Sequence, residues 1–197
     1  MAAGMGAYEW RFDSGRVCLD LVATSEAVCG VPDPLAGAGR LGRWLTGAGL
    51  LPAGTPLLDI DDRWTPRFIE LRDCVGQLVR AEIDGRYAES ALERVNAFAA
   101  DPPPGIRAVR DDSGSLVRAL SAGPECAALI AAVARDAVEL LTDPAARARL
   151  RQCEGDNCRR VYLDTSRGRR RRWCSSEVCG NRERVARHRR RAAVARA

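Results

Sequence analysis

The sequence predicts an α+β protein: a mostly helical N-terminal domain with one small β-sheet or hairpin, followed by a small C-terminal module. Three observations predict it. Helix-start signatures, in which a capping side chain precedes proline, recur along the first 150 residues. One pair of short apolar runs in that stretch flanks a polar turn. Four cysteines then fall within 27 residues in the spacing C-x4-C-x15-C-x4-C, close to where the charge of the chain changes sign.

Taken in order, Tyr8, Trp10 and Phe12 alternate like a strand, while Val17 to Ala23 fits either a strand or a helix. Asp33-Pro34 opens a helix carrying Leu35, Leu41, Trp44 and Leu45, which closes near Gly47 or Gly49. Thr65-Pro66 opens a longer one, with Phe68, Ile69, Leu71, Val75, Leu78, Val79 and Ile83 on its apolar face and a stop at Gly85. A third runs from about Ser90 to Ala99 with Leu92, Val95 and Phe98 on one face, and Asp101-Pro102-Pro103-Pro104-Gly105 ends it. Ile106 to Val109 and Leu116 to Leu120 flank Asp111-Asp112-Ser113-Gly114 as a hairpin. A long helix follows from about Pro124 to Leu141, with Leu129, Ile130, Val133, Val138 and Leu141 apolar. A short one then starts at Asp143-Pro144 and delivers the chain to Cys153 without a flexible linker, so two packed domains are expected, 1–150 and 151–197.

Cys153, Cys158, Cys174 and Cys179 form two local pairs, which close a tetrahedral thiolate site at little loop-closure cost. A single structural zinc ion is the expected cofactor. In a chain of 197 residues with no signal-peptide core, metal is a better reading than disulfides. Within the module, Val161-Tyr162-Leu163 is expected to pair with Arg171-Arg172-Trp173 about a turn at Thr165 to Gly168. Cys179 is expected to begin the final helix, whose N-terminus stabilises its thiolate. Loop, hairpin and helix around one zinc make a treble-clef-like arrangement, with Tyr162, Trp173 and Val185 as a miniature core. His188 lies nine residues beyond Cys179, about 900° of helix, and so faces away from the site. Four thiolates leave no position for a catalytic water.

Charge divides the chain. Residues 1–150 carry 16 Arg against 21 acids, net −5; residues 151–197 carry 15 Arg against 5 acids, net +10; there is no lysine. Arg169, Arg170, Arg171 and Arg172 lie on the expected hairpin. Arg182, Arg184, Arg187, His188, Arg189, Arg190 and Arg191 lie on the expected terminal helix. Guanidinium forks match phosphate oxygens and the major-groove edge of guanine, so these residues are the candidate nucleic-acid contacts. DNA is the favoured partner; RNA, RNA polymerase or the ribosome is the alternative. The bland reading is a solvated basic tail, or one docked on the acidic body.

The segment from Cys153 to Arg191, above all Asp164-Thr165-Ser166-Arg167, Arg172-Trp173-Cys174-Ser175 and Cys179-Gly180-Asn181-Arg182, closely resembles the CGNR zinc finger. Cys18-Leu19-Asp20-Leu21, Trp44-Leu45 and Glu70-Leu71-Arg72 resemble the ABATE domain that precedes this finger in bacterial proteins described as stress-induced transcription regulators. The resemblance implies a DNA-binding regulator whose body senses a small-molecule effector or forms a homodimer. Where the family commonly has asparagine before threonine in its first motif, this chain has Ala23-Thr24.

Other chemistry finds no sequence support. One histidine, no lysine, no nucleophile elbow and no phosphate or dinucleotide loop argue against an enzyme. Asp61-Asp62 and Asp111-Asp112 read as loop and turn residues. Cys18, Cys29, Cys74 and Cys126 match no metal spacing and read as small hydrophobes, and Trp10 and Trp44 read as core. No apolar run spans a bilayer, and a cytoplasmic location is the expectation.

Overall fold

The computed structural model describes residues 10–25, 33–56 and 60–194. Its frame is three helices: α3 (Trp64–Asp84), α4 (Glu89–Ala99) and α5 (Cys126–Thr142), numbered along the chain after α1 (Val17–Val22) and α2 (Ala38–Gly47). α5 packs on both α3 and α4, α1 lies against α3 and α5, and α2 rests on α3. Phe68, Leu71, Val75 and Val79 recur at helical spacing on α3 and meet Leu129, Ile130, Val133, Ala134 and Ala137 of α5 in one core. The run of alanines on α5 lets the helices approach closely. α3 ends as its sequence demands: Gly85 turns left-handed, with φ 65°, and Arg86 N–H reaches back to the Ala81 carbonyl at 2.8 Å.

β1 (Ile106–Arg110) and β2 (Leu116–Leu120) form the expected antiparallel hairpin, with Ala108 opposite Arg118. The Asp111 carboxylate accepts from Ser113 and Ser115 N–H to close its turn. The hairpin stands largely in solvent, with Ile106 64% and Leu116 67% exposed. α6 (Pro144–Arg147) is capped as expected, the Asp143 carboxylate accepting from Ala145 N–H at 2.8 Å.

Several local expectations are corrected. α2 starts at Ala38 rather than at Pro34, because the Asp33 carboxylate is committed elsewhere. It closes a turn on Leu35 N–H and holds the buried Arg72 guanidinium of α3 at 2.8 Å. α3 begins at Trp64 with no side-chain cap, and Thr65 lies buried inside its first turn. α4 buries Ala91, Val95 and Phe98, leaving Leu92 41% exposed. Val17 to Val22 is a helix, continued by a 3-10 turn over Ala23–Ser25. Trp10 and Phe12 join no strand, and Tyr8 and Cys29 lie outside the described residues.

The largest correction concerns the module. β4 (Val161–Leu163) pairs not with residues 171–173 but with β3 (Leu150–Gln152), with Leu150 opposite Leu163 and Gln152 opposite Val161. The reason lies in the alternation of a strand buried on both faces. Leu150, Val161 and Leu163 join the helical core, whereas Tyr162 points into the cysteine cluster. The 150/151 division between body and module therefore falls inside β3.

Candidate metal centre and basic surface

Four sulfurs meet beneath Tyr162. The Sγ atoms of Cys153, Cys158, Cys174 and Cys179 all lie within 4.8 Å of one another, with Cys158–Cys174 at 3.8 Å and Cys174–Cys179 at 3.6 Å. Zinc–thiolate bonds of about 2.3 Å in a tetrahedron require sulfur–sulfur edges of about 3.8 Å. A disulfide would need about 2.05 Å. The quartet thus fits one tetrahedral ion, and it is the only such group of His, Cys, Asp or Glu among the described residues.

Backbone geometry builds the two halves. Cys158 N–H donates to the Gly155 carbonyl at 3.0 Å, folding the first pair into a tight turn, and Cys153 N–H is held by the Arg160 carbonyl at 2.9 Å. A Cβ on Gly155 would sit 3.6 Å from the Cβ atoms of both Cys158 and Cys179, inside the ligand shell. Across the site, Cys174 N–H points at the Cys153 sulfur at 3.3 Å, a donor that stabilises negative charge there. Cys179 opens α7 (Cys179–Val194) as expected.

The helix N-terminus does not by itself make Cys179 a thiolate. Burial pushes its thiol up to about 11; the hydrogen bond with Cys174 opposes this, while the charges of Cys158 and Cys153 add to it. A divalent cation reverses that balance by deprotonating the sulfurs that bind it. When bound, zinc holds loop and helix in one frame, and with four thiolates it keeps no open position.

Of the miniature core, Tyr162 is fully buried and Trp173 packs on the cysteines, but Val185 is 43% exposed on α7. The loop over residues 164–173 is organised by Asp164, whose carboxylate accepts from Ser166 N–H at 2.9 Å and Arg171 N–H at 3.0 Å. Burial pushes that carboxyl up, yet the hydrogen bonds from Ser166 and Arg171 outweigh it and hold it below its ordinary range.

The candidate arginines separate into two groups. Arg171 is half-buried and spent on the fold: it lies over the Tyr162 ring at 4.7 Å and donates to the carbonyls of Trp173 and Cys174. Arg172 pairs with Glu154 at 2.6 Å and covers Trp173. Arg184 binds the Gly180 and Ser176 carbonyls, and Arg190 stands 3.9 Å from Glu183. By contrast Arg169, Arg170, Arg182, Arg187, Arg189 and Arg191 are exposed and have no acidic partner among the described residues. His188 is exposed too. Arg169 adopts a left-handed backbone with φ 49° in this loop.

Asp164 was visible as the first residue of a motif, though its role was not. Arg160, buried at 8% exposure by a pair with Asp13, carried no local signal.

Two family models match this chain. Residues 15–144 match the ABATE model, described as "Putative stress-induced transcription regulator". The chain belongs to the ABATE family. Residues 149–192 match the CGNR zinc finger, so this ABATE protein carries its four cysteines in the finger that the motifs implied. Comparison with curated proteins finds no match. No helix among the described residues is long and apolar enough to cross a membrane.

Proposed function

We propose that this ABATE protein is a DNA-binding transcription regulator. Its zinc-loaded finger supplies the nucleic-acid surface, and its helical body supplies a sensing or dimerising part that answers to a small-molecule effector. The role is non-catalytic and cytoplasmic, where thiols stay reduced.

One observation carries the reading: six exposed arginines with no acidic partner among the described residues sit on two segments fixed to the same four cysteines. The 164–173 loop is fixed through Tyr162, Asp164 and Trp173. α7 is fixed through Cys179 and through Gly180, where an added Cβ would stand 3.5 Å from the Trp173 ring. A charged surface so held binds phosphate with little ordering cost. The internally paired residues Arg171, Arg172 and Arg184 serve the frame; Arg169, Arg170, Arg182, Arg187, Arg189 and Arg191 are the phosphate contacts.

Fluorescence anisotropy of the zinc-loaded chain on duplex DNA tests this. If the six arginines each meet a phosphate, log K falls against log salt with a slope of about −5. Joint replacement Arg169→Gln and Arg170→Gln lowers that slope by about 2 with zinc content unchanged. A flat salt response sinks the electrostatic reading, and tighter binding to RNA of the same sequence transfers the finger to the RNA or polymerase alternative.

A further inference from the structure

The segment 10–16, which bends at residues 14–16, precedes α1 and runs between the body and the finger, and residues 10–14 lie outside both matched family segments. Its side chains alternate in direction although it has no partner strand. Phe12 turns to the body, its ring 6.3 Å from Trp44 and its tip in the space left by the missing Cβ of Gly47. Trp10 also packs on the helical core. Arg11 and Asp13 turn to the finger.

Three features lock this strap in place. The Ser14 carbonyl accepts from Leu163 N–H at 2.8 Å, while Ser14 N–H donates to Asp20 of α1 at 2.9 Å. Gly15 holds φ 91° and passes so close to Leu163 that a Cβ would stand 3.1 Å from the Leu163 Cβ. Arg16 pairs with Asp136 of α5 at 2.7 Å.

The finger-facing pair reaches the metal centre. One Asp13 oxygen binds Arg160 at 2.6 Å and the other binds Arg11. Arg160 is the residue whose carbonyl holds the N–H of Cys153, so Asp13 braces a candidate metal-ligating cysteine through one intervening residue. Burial opposes the charge of the Arg11 guanidinium, but Asp13 and, more weakly, the Cys174 sulfur favour it, so Arg11 lies within reach of the cluster. Four thiolates around a divalent cation leave a net charge of −2, and outer-shell donors and cations offset such charge.

We infer that Arg11 and Asp13 of the strap, with Arg160 of the finger, form an outer shell of the metal centre, and that the two strap residues are positioning residues that tighten zinc binding from outside the finger. Body and finger then share one metal equilibrium. The inference rests on the quartet and is independent of any nucleic acid.

The test uses the full chain, with zinc competition against a chromophoric chelator and cobalt substitution as a second readout. Arg11→Gln and Asp13→Asn are expected to weaken zinc binding by about ten- to a hundredfold. Arg11→Gln also moves the sulfur-to-cobalt charge-transfer band, which a merely structural role would leave in place. Arg86→Gln, at an exposed residue paired with Asp84 far from the cysteines in sequence, serves as the charge control and keeps wild-type affinity. Should Arg11→Gln fail to fold by circular dichroism, Arg11→Met, which keeps the apolar stem, decides in its place. Wild-type zinc affinity and an unmoved band in folded Arg11 and Asp13 variants overturn the inference.

Discussion

The helical body and the finger stabilise themselves by opposite means. In the body, the α3 and α5 faces bury a continuous apolar core, and its buried polar groups are few. In the finger, the apolar cluster among the described residues is one enclosed ring, Tyr162, with cysteine sulfur around it and Trp173 against it. A segment this short cannot cover enough apolar area to fold on packing alone, so an ion must supply the difference. The comparison also shows where the two economies join: β4 places Val161 and Leu163 in the first core and Tyr162 in the second.

The largest expected effect comes from removing the ion. Chelation, or Cys158→Ser, should unfold the finger while most of the far-UV helical signal of the body remains, since apparent zinc binding in finger peptides contributes about 10–16 kcal/mol. Full zinc stoichiometry in Cys158→Ser contradicts the ligand assignment, and a complete loss of helical signal contradicts the contrast between the regions.

Next in size, Leu163→Ala deletes a buried side chain where the cores meet and should cost about 2–5 kcal/mol. Unlike a substitution deep in α5, it should lower thermal stability and zinc affinity together; thermal melts with and without zinc separate the two contributions.

The smallest effect concerns the 164–173 loop. Asp164→Asn should cost about 1–2 kcal/mol by weakening hydrogen bonds to a charged acceptor. The Asp164 carboxyl is held below its ordinary value near 3.8, so its contribution is present above that pH and disappears as pH falls through the lower, folded value. Acid titration of Trp173 fluorescence should therefore show a low-pH transition that Asp164→Asn removes. At higher pH, where Cys179 would otherwise keep its proton up to about 11, zinc affinity should rise as protons become scarcer.

Much of this architecture was legible because its signals are local. The apolar spacing of α3, the proline-rich break before β1, the Asp143 cap and the cysteine quartet each depend on residues a few positions apart. What failed to show depends on distant partners. Asp33 looks like a helix cap until Arg72, 39 residues away, claims its carboxylate. Val161-Tyr162-Leu163 is apolar throughout, so periodicity gave no face, and the nearer basic run was a reasonable partner until Leu150 proved to be shared with the core. The arginines were recognisable as a surface, but which of them serve the frame required knowing that Tyr162, Glu154 and the Gly180 carbonyl lie beneath them. Asp13 carried no sign at all of its reach to Arg160.

The double burial of β4 bears on heredity as well as on stability. A substitution at Val161 or Leu163 is judged by residues of the helical body, one at Tyr162 by those around the cysteines, and all three sit on consecutive positions of one strand. The finger of this chain is therefore poorly suited to being exchanged among unrelated partners. Its sequence and that of the body beneath are expected to drift in concert, so that grafting a foreign finger at residue 149 would require re-selecting Leu150, Gly15 and their neighbours at the same time.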